Sequence, residues 1–269
     1  MTELDKSQVP DFHKMMRLDG KGFVVIGAGR GIGRQVAHGL SQLGAKVICA
    51  GRGREMTQAV ADEVGGFACL ADATKRDDME RLFADAEALL GGIHGIVDTL
   101  GMVNRKPLLE FSDEDWDWQF DIVLRHAFLT TQIGGKAIAR SGGGSITFVG
   151  STAGHITPNN HVAYGTAKAA LEHLIRGAVI ELAPLGVRIN AVTPGVIKTP
   201  RVQGYLDAGL GKKAVDYHPL GRLAVPCEIA SAILFMASDL SAYVTGQSLL
   251  VDGGYLSQAP MPDSVWFPE

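Results

Sequence analysis

The sequence has few cysteines and no long hydrophobic run, and both absences limit what the chain can be. Its three cysteines, Cys49, Cys69 and Cys227, show no C-x-x-C spacing. They therefore indicate neither a disulfide framework nor a zinc module, and they favour free thiols in a reducing compartment. No uninterrupted apolar run approaches the roughly 18 residues of a membrane span, and the polar start lacks the apolar stretch of a signal peptide. We therefore expect a cytoplasmic protein without a membrane segment.

The charge of the chain is also modest. Its 269 residues carry a formal net charge of −4, which gives no basic footprint for nucleic acid or for an anionic membrane surface. The eight histidines follow no metal-ligand spacing such as H-E-x-x-H. We therefore predict no nucleic-acid partner, no membrane partner and no metal site.

Glycine, by contrast, is abundant, with 34 residues, and short apolar runs alternate with amphipathic helical patterns. Strands that alternate with helices run parallel, because each connection crosses back over the sheet. The pattern predicts one α/β domain, a doubly wound parallel sheet with helices on both faces and ligands at its carboxyl edge. The predicted strands are 23–26, 46–50, 67–70, 95–98, 145–149, 187–192 and 248–251, and the longest predicted helices are 113–139 and 161–183.

The predicted domain spans residues 17–254. A flexible polar arm, residues 1–16, precedes it, and a tail, residues 255–269, follows it. The longest stretch without a clear pattern is 199–225. Irregular segments of this length are usually functional, so we expect this one to be a mobile substrate loop.

A glycine-rich turn joins the first predicted strand to its helix. It reads Gly27-Ala28-Gly29-Arg30-Gly31-Ile32-Gly33. Glycines let the backbone turn sharply, and the N-terminus of the following helix offers unpaired N–H groups to a pyrophosphate. The spacing is G-x-x-x-G-x-G rather than G-x-G-x-x-G, and no Gly-Lys-Ser/Thr follows, which excludes a Walker-type loop. The turn predicts a dinucleotide site with contacts from residues 27–32.

This spacing resembles that of the classical short-chain dehydrogenase/reductase family, and the resemblance extends over residues 18–254. It implies a Rossmann-type fold, a nicotinamide dinucleotide cofactor and a homo-oligomer, either a tetramer or a dimer. Trp266 and Phe267 in the tail are candidates for a contact between subunits. Ile26 departs mildly from the pattern, since family members carry threonine before the first glycine.

Tyr164 and Lys168 stand four residues apart in a helical pattern, so their side chains lie on one face of a helix. A phenol pKa of about 10 is too high for acid–base work at neutral pH, but a nearby ammonium lowers it. Ser151 follows a predicted strand, at the edge where ligands bind. It lacks the flanking glycines of a nucleophile elbow, which argues against a serine hydrolase. The resemblance assigns Ser151 to the substrate carbonyl, Tyr164 to proton transfer and Lys168 to the cofactor ribose and to lowering the pKa of Tyr164.

Further cofactor contacts are implied by the resemblance alone. An acidic residue and its neighbour after the third strand match an adenine contact, and the end of the fourth strand matches a contact made partly through the backbone. A Pro-Gly segment after the sixth strand is similar to one that holds the nicotinamide end. In chain order these residues are Asp72, Ala73, Asp98, Pro194, Gly195, Ile197 and Thr199.

Two departures from the family pattern concern polar residues near the predicted site. Relatives usually read Asn-Asn-Ala-Gly after the fourth strand, whereas this chain reads Asp98-Thr99-Leu100-Gly101, and an ionised aspartate has no amide donor. Relatives also carry an asparagine seven residues after a tryptophan of the long helix, where it positions a water that links the lysine to solvent. Counting from Trp116 leads to Val123, whose side chain cannot do this, although its backbone carbonyl could.

The end of the second strand bears on the choice of cofactor. A relative that prefers NAD has an acidic residue there for the ribose hydroxyls, whereas this chain has Arg52, and Arg30 lies in the glycine turn. A guanidinium suits the 2′-phosphate of NADP because its planar fork donates two hydrogen bonds. We therefore predict NADP(H) in preference to NAD(H).

Together these features predict an NADP(H)-dependent oxidoreductase that interconverts a carbonyl and a secondary alcohol of a small molecule by hydride transfer. One alternative is an NAD-dependent alcohol or dihydrodiol dehydrogenase. Another, from a different class, is a non-catalytic dinucleotide-binding sensor. The substrate itself is not predicted, because specificity resides in the irregular loops.

Overall fold

The apolar runs that mark strands in the sequence pair in one parallel sheet. The computed structural model describes residues 7–207 and 211–257. Within them the strands are β1 (Gly22–Ile26), β2 (Lys46–Gly51), β3 (Phe67–Leu70), β4 (Gly95–Asp98), β5 (Gly144–Val149), β6 (Val187–Pro194) and β7 (Ser248–Val251). Their order is β3-β2-β1-β4-β5-β6-β7, and every neighbouring pair is parallel. This confirms the predicted doubly wound sheet.

Helices cover both faces of the sheet because most of them turn an apolar side towards it. In chain order they are α1 (Phe12–Met16), α2 (Gly31–Gln42), α3 (Arg54–Val64), α4 (Arg76–Leu90), α5 (Asp113–Phe120), α6 (His126–Leu129), α7 (Gly135–Arg140), α8 (Val162–Leu182), α9 (Pro200–Tyr205), α10 (Gly211–Asp216) and α11 (Pro226–Ala237). One core cluster joins the sheet to α2, α3 and α11. A second joins the other face to α4, α6, α7 and α8.

The predicted long helix, residues 113–139, is continuous but not regular. Two π-helical turns, Asp121–Arg125 and Thr130–Gly134, join α5, α6 and α7 end to end. The spacing of apolar residues predicts the helix but does not reveal these turns. Turns of this kind are often found at functional positions, and the first of them contains Val123.

Two segments that the sequence leaves irregular contain short helices. α1 lies in the predicted arm, where the carboxylate of Asp11 accepts hydrogen bonds from the N–H groups of His13 and Lys14. α9 and α10 lie within 199–225. Each of these helices has five or six residues, which is too short to show a helical period in the sequence. The mobility of 199–225 stays a prediction.

The sheet changes its direction of winding between β1 and β4. Ile26 at the end of β1 is in register with Ala50 on one side and with Asp98 on the other. In a doubly wound sheet the crevice for ligands opens at this place, beyond the carboxyl ends of the strands. The glycine turn after β1 and the turn after Asp98 therefore border the same crevice.

Candidate active site

The glycine turn has a backbone that requires glycine at three positions. Gly27 and Gly31 have φ angles of +86° and +60°, which residues with a side chain rarely adopt. A Cβ on Gly33 would lie 2.2 Å from the carbonyl oxygen of Gly27. The start of α2 can therefore pack this closely on the turn only without a side chain there, which explains the spacing seen in the sequence.

The start of α2 forms a cradle that fits a pyrophosphate. Arg30 stands at the N-cap position but its side chain caps no N–H group, which leaves the N–H groups of the first turn for a ligand. A Cβ on Gly31 would meet no atom closer than Cγ2 of Thr199, at 3.9 Å. The space before the turn is thus open, and Thr199 lies across it. Uncapped N–H groups and the helix dipole both favour an anion here.

The other predicted cofactor residues lie along the same edge. Ala28 and Ala73 are buried. Ile197 is also buried and bridges to Ala224. This bridge, with a hydrogen bond from the N–H group of Lys198 to the carbonyl oxygen of Ala224, joins the segment 194–199 to the residues just before α11.

Arg30 and Arg52 are both exposed and lie on neighbouring turns. A Cβ on Gly29 would lie 3.1 Å from Cβ of Met56, so the glycine turn touches the first turn of α3, just after Arg52. The segments that carry Arg30 and Arg52 are therefore in contact.

Asp72 pairs with Arg52 at this edge. A guanidinium nitrogen of Arg52 lies 3.7 Å from the carboxylate of Asp72, while 63% of the Arg52 side chain remains exposed. Burial raises the pKa of Asp72. Hydrogen bonds from Thr74 and the charges of Arg52 and Lys75 together lower it by more, so the pKa lies below its usual value. The resulting carboxylate orients Arg52 without covering it.

Tyr164 and Lys168 lie one turn apart near the start of α8. The Lys168 Nζ is 5.9 Å from the centre of the Tyr164 ring and donates a hydrogen bond of 2.7 Å to the carbonyl oxygen of Val149. Ser151 follows Val149 at the end of β5, and its hydroxyl accepts a hydrogen bond from the N–H group of Ala153. The fold thus brings the three predicted catalytic residues to one edge of the sheet.

Two glycines that the sequence analysis did not single out let the Ser151 loop lie on α8. A Cβ on Gly165 would lie 2.6 Å from the carbonyl oxygen of Ala153, and one on Gly154 would lie 3.1 Å from the backbone of Lys168. Glycine is unfavourable inside a helix. A glycine directly after Tyr164 therefore indicates, in the sequence itself, that another part of the chain packs closely against the helix there.

Lys168 is almost fully buried, with 2% of its surface exposed. Burial disfavours the ammonium and lowers its pKa to about 8, although the carboxylates of Asp98 and Glu172 oppose this shift. The lysine therefore loses its proton as the pH rises through about 8, well below the pH at which a free lysine does so. Functions that need the ammonium are expected to weaken above that pH.

The side chain of Asp98 points into the protein and not into the crevice. Its Oδ2 accepts hydrogen bonds from Nδ1–H of His126 at 2.8 Å and from the hydroxyl of Thr130 at 3.0 Å, and its Oδ1 accepts one from the N–H of Leu100 at 3.1 Å. Any cofactor contact of Asp98 therefore involves its backbone. Sequence reasoning missed His126 and Thr130 because they lie 28 and 32 residues further along the chain.

Val123 lies in a small apolar cluster. It is fully buried with Ile122 and Ala167, and Phe120 and Tyr164 pack against this group. The position where relatives are expected to carry a polar amide is thus apolar in its surroundings as well as in its own side chain.

Replacing Val123 with asparagine is therefore expected to destabilise the protein by about 1–3 kcal/mol, because the apolar side chains around it cannot pair with an amide. We expect no gain in turnover. Urea unfolding and steady-state kinetics test this, and Val123→Ala is the control for lost packing without an added polar group. A higher turnover of the asparagine variant would show instead that the missing amide limits the reaction.

The described residues also bear on other kinds of site. No group of three or more His, Cys, Asp or Glu residues lies close enough there to hold a metal ion. None of the helices in those ranges has the length and apolar character needed to cross a membrane. All three cysteines are free thiols, and Cys227 is exposed.

Comparison with known proteins finds relatives over most of the chain. Residues 27–256 match the family model described as "Enoyl-(Acyl carrier protein) reductase". A tropinone reductase homolog of Arabidopsis thaliana is 36% identical over 251 residues, which cover 90% of this chain and 94% of that protein.

Two solved structures with bound cofactors are similar to this fold. A 7α-hydroxysteroid dehydrogenase in complex with NADH and 7-oxo glycochenodeoxycholic acid has a TM-score of 0.87 and 30% identity, with 91% of this chain and 98% of that chain covered. A gluconate 5-dehydrogenase of Burkholderia cenocepacia in complex with NADP and tartrate has a TM-score of 0.88 and 27% identity, covering 93% and 100%. The two similar proteins thus hold different nicotinamide cofactors.

Proposed function

The chain belongs to the short-chain dehydrogenase/reductase family, and on this premise we propose that it is an NADP(H)-dependent enzyme that interconverts a carbonyl and a secondary alcohol. Membership makes it an oxidoreductase that acts on CH–OH groups with a nicotinamide dinucleotide. The finer proposal is supported above all by Lys168, whose buried ammonium lies 5.9 Å from the centre of the Tyr164 ring. Ser151 lies just after the end of β5, whose last residue, Val149, accepts the hydrogen bond of Lys168.

Each of the three side chains has a distinct task in this proposal. Tyr164 gives a proton to the carbonyl oxygen in reduction and takes one from the alcohol in oxidation. The ammonium of Lys168 stabilises the phenolate form of Tyr164 and so lowers the pKa of that phenol. Ser151 donates its hydroxyl hydrogen to the substrate oxygen. A bound nicotinamide supplies or accepts the hydride.

The preference for NADP(H) is supported by charge at the end of β2. Arg52 and Arg30 are exposed there, and the position where an acid would favour NAD carries no acid. The NAD-dependent alternative has support of its own, since one similar structure holds NADH. A comparison of rates with NADPH and NADH separates the two.

The test of the proposal is a substrate panel with the purified protein. Ketones and secondary alcohols of increasing size are offered with each cofactor, and the change in NADPH or NADH absorbance is followed. An enoyl thioester in the same panel tests the reaction named by the matching family model. Carbonyl or alcohol turnover faster with NADPH supports the proposal, whereas cofactor binding without turnover on any substrate favours a sensor.

We also propose that the enzyme is a dimer or tetramer. Exposed apolar side chains lie on the long helix and on the edge strand β7, namely Trp116, Trp118, Phe128, Leu249 and Leu250, and large exposed apolar areas often mark interfaces. The predicted contacts of Trp266 and Phe267 lie outside the described residues.

Light scattering at micromolar concentration is expected to give a particle of two or four times the 28.5 kDa chain mass. A single-chain particle over the same concentrations would contradict the proposed assembly. The measurement needs neither substrate nor cofactor.

A further inference from the structure

A buried carboxylate at the centre of the molecule is not used by the chemistry described so far. Asp98 has a fully buried side chain and accepts hydrogen bonds from His126, Thr130 and the N–H group of Leu100. A carboxylate accepts hydrogen bonds through both of its oxygens, and all three partners can donate to it. These contacts hold the carboxylate in place at the end of β4, where Asp98 is in register with the last residue of β1.

The end of β4 that carries this carboxylate lies beside Lys168, because Asp98 is in register with Phe148 and the next carbonyl along β5, that of Val149, accepts the hydrogen bond of the ammonium. The turn that follows Asp98 runs directly against the ammonium, because a Cβ on Gly101 would lie only 3.3 Å from the lysine Nζ. Burial lowers the pKa of Lys168 to about 8, and the charge of Asp98 is the larger of the two influences that oppose this shift. Without Asp98 the lysine would lose its proton at a still lower pH.

A second carboxylate near Lys168 lies on the same helix, α8. Glu172, one turn further along α8, is the second carboxylate that opposes the shift. It accepts a hydrogen bond from Ser248 at 3.0 Å and lies 2.8 Å from Nε2 of His155. Tyr164 faces the lysine from the previous turn. Each of the two carboxylates that oppose the shift is thus paired with a histidine, and the pair with Asp98 is the more deeply buried.

We infer that Asp98, held by His126 and Thr130, is a positioning residue that keeps Lys168 charged in a chain whose long helix offers the lysine no amide at Val123. The inference rests on the role proposed above for Lys168. It accounts for two departures from the family pattern together: an apolar side chain stands in place of the amide, and a buried carboxylate stands at the end of β4.

The test measures the charge of Lys168 through cofactor affinity as a function of pH. NADPH fluorescence titrations from about pH 6 to pH 10 need no substrate, so they remain informative if the proposed reaction is wrong. In the wild type the affinity is expected to fall as the pH rises through about 8. In Asp98→Asn, which has the same size but no charge, the midpoint is expected to move down by about one pH unit.

Three further variants show which group titrates at this midpoint and what shifts it. Lys168→Arg keeps its charge throughout this range, so its affinity should not fall, which identifies Lys168 as the titrating group. Glu172→Gln should shift the midpoint in the same direction but by less. Thr130→Val removes one hydrogen bond to Asp98 and keeps its charge, so its midpoint should stay near that of the wild type.

An unchanged midpoint in Asp98→Asn would overturn the inference, and so would an equal shift in Thr130→Val, because a structural disturbance would then explain both. If Asp98→Asn does not fold, the double variant with Lys168→Met is expected to fold again, since no buried ammonium then lacks its counter-charge. A double variant that also stays unfolded would count against the inference.

Discussion

Replacing Tyr164 with phenylalanine is expected to lower turnover by about 10²–10⁴-fold, the usual contribution of a positioned proton donor. The ring remains available for packing against the cluster around Val123, so the variant should fold and bind NADPH as the wild type does. Steady-state kinetics combined with a cofactor titration separates these two effects.

Tyr243→Phe provides a matched control, because Tyr243 is fully exposed. It loses the same hydroxyl group and should keep the wild-type turnover. Near-normal turnover in Tyr164→Phe, or equal losses in both variants, would rule out the proposed role of Tyr164.

Replacing Arg52 with alanine is expected to weaken NADP(H) binding by about 10–100-fold, which corresponds to the loss of one charge-assisted contact with a phosphate. The binding of NAD(H), which lacks the 2′-phosphate, should change little. Arg52 is suited to this contact because most of its side chain is exposed while Asp72 orients it from one side.

Arg52→Lys is the informative companion variant. It keeps the positive charge but loses the planar fork, so its affinity for NADP(H) should lie between those of the wild type and the alanine variant. Equal losses for both cofactors, or a wild-type preference for NAD(H), would show that Arg52 does not recognise the phosphate.

Much of the fold follows from local patterns in the sequence. β3, β4 and β7 have the predicted bounds, because each is a short run with a glycine or polar residue directly before it and a polar residue within two positions after it. The glycine turn also follows from sequence, since its spacing reflects positive φ angles and one close backbone approach that only glycine allows. These features depend on neighbours in the chain, which a sequence shows directly.

The surroundings of Lys168 cannot be predicted from neighbouring residues in the chain in this way. Asp98 and His126 lie on different elements, and only the packing of the long helix on the sheet brings them within 2.8 Å. Sequence reasoning treated Asp98 as the replacement for an asparagine and did not consider what its carboxylate would contact. The roles of the three predicted catalytic residues remain predictions until the variants are measured.

The two π-helical turns have a consequence for how this helix tolerates insertions and deletions. A π turn of this kind holds an extra residue within an otherwise α-helical segment, and an α-helix rotates by about 100° per residue. Deleting one residue between 121 and 125 would return that turn to α geometry and leave the residues that follow facing the same way, because the wider turn absorbs the extra residue. The imidazole of His126 would then stay on the side that faces Asp98. A single-codon deletion would in this way be tolerated at the π turn, whereas one within a regular α-helical turn rotates the residues after it by about 100°.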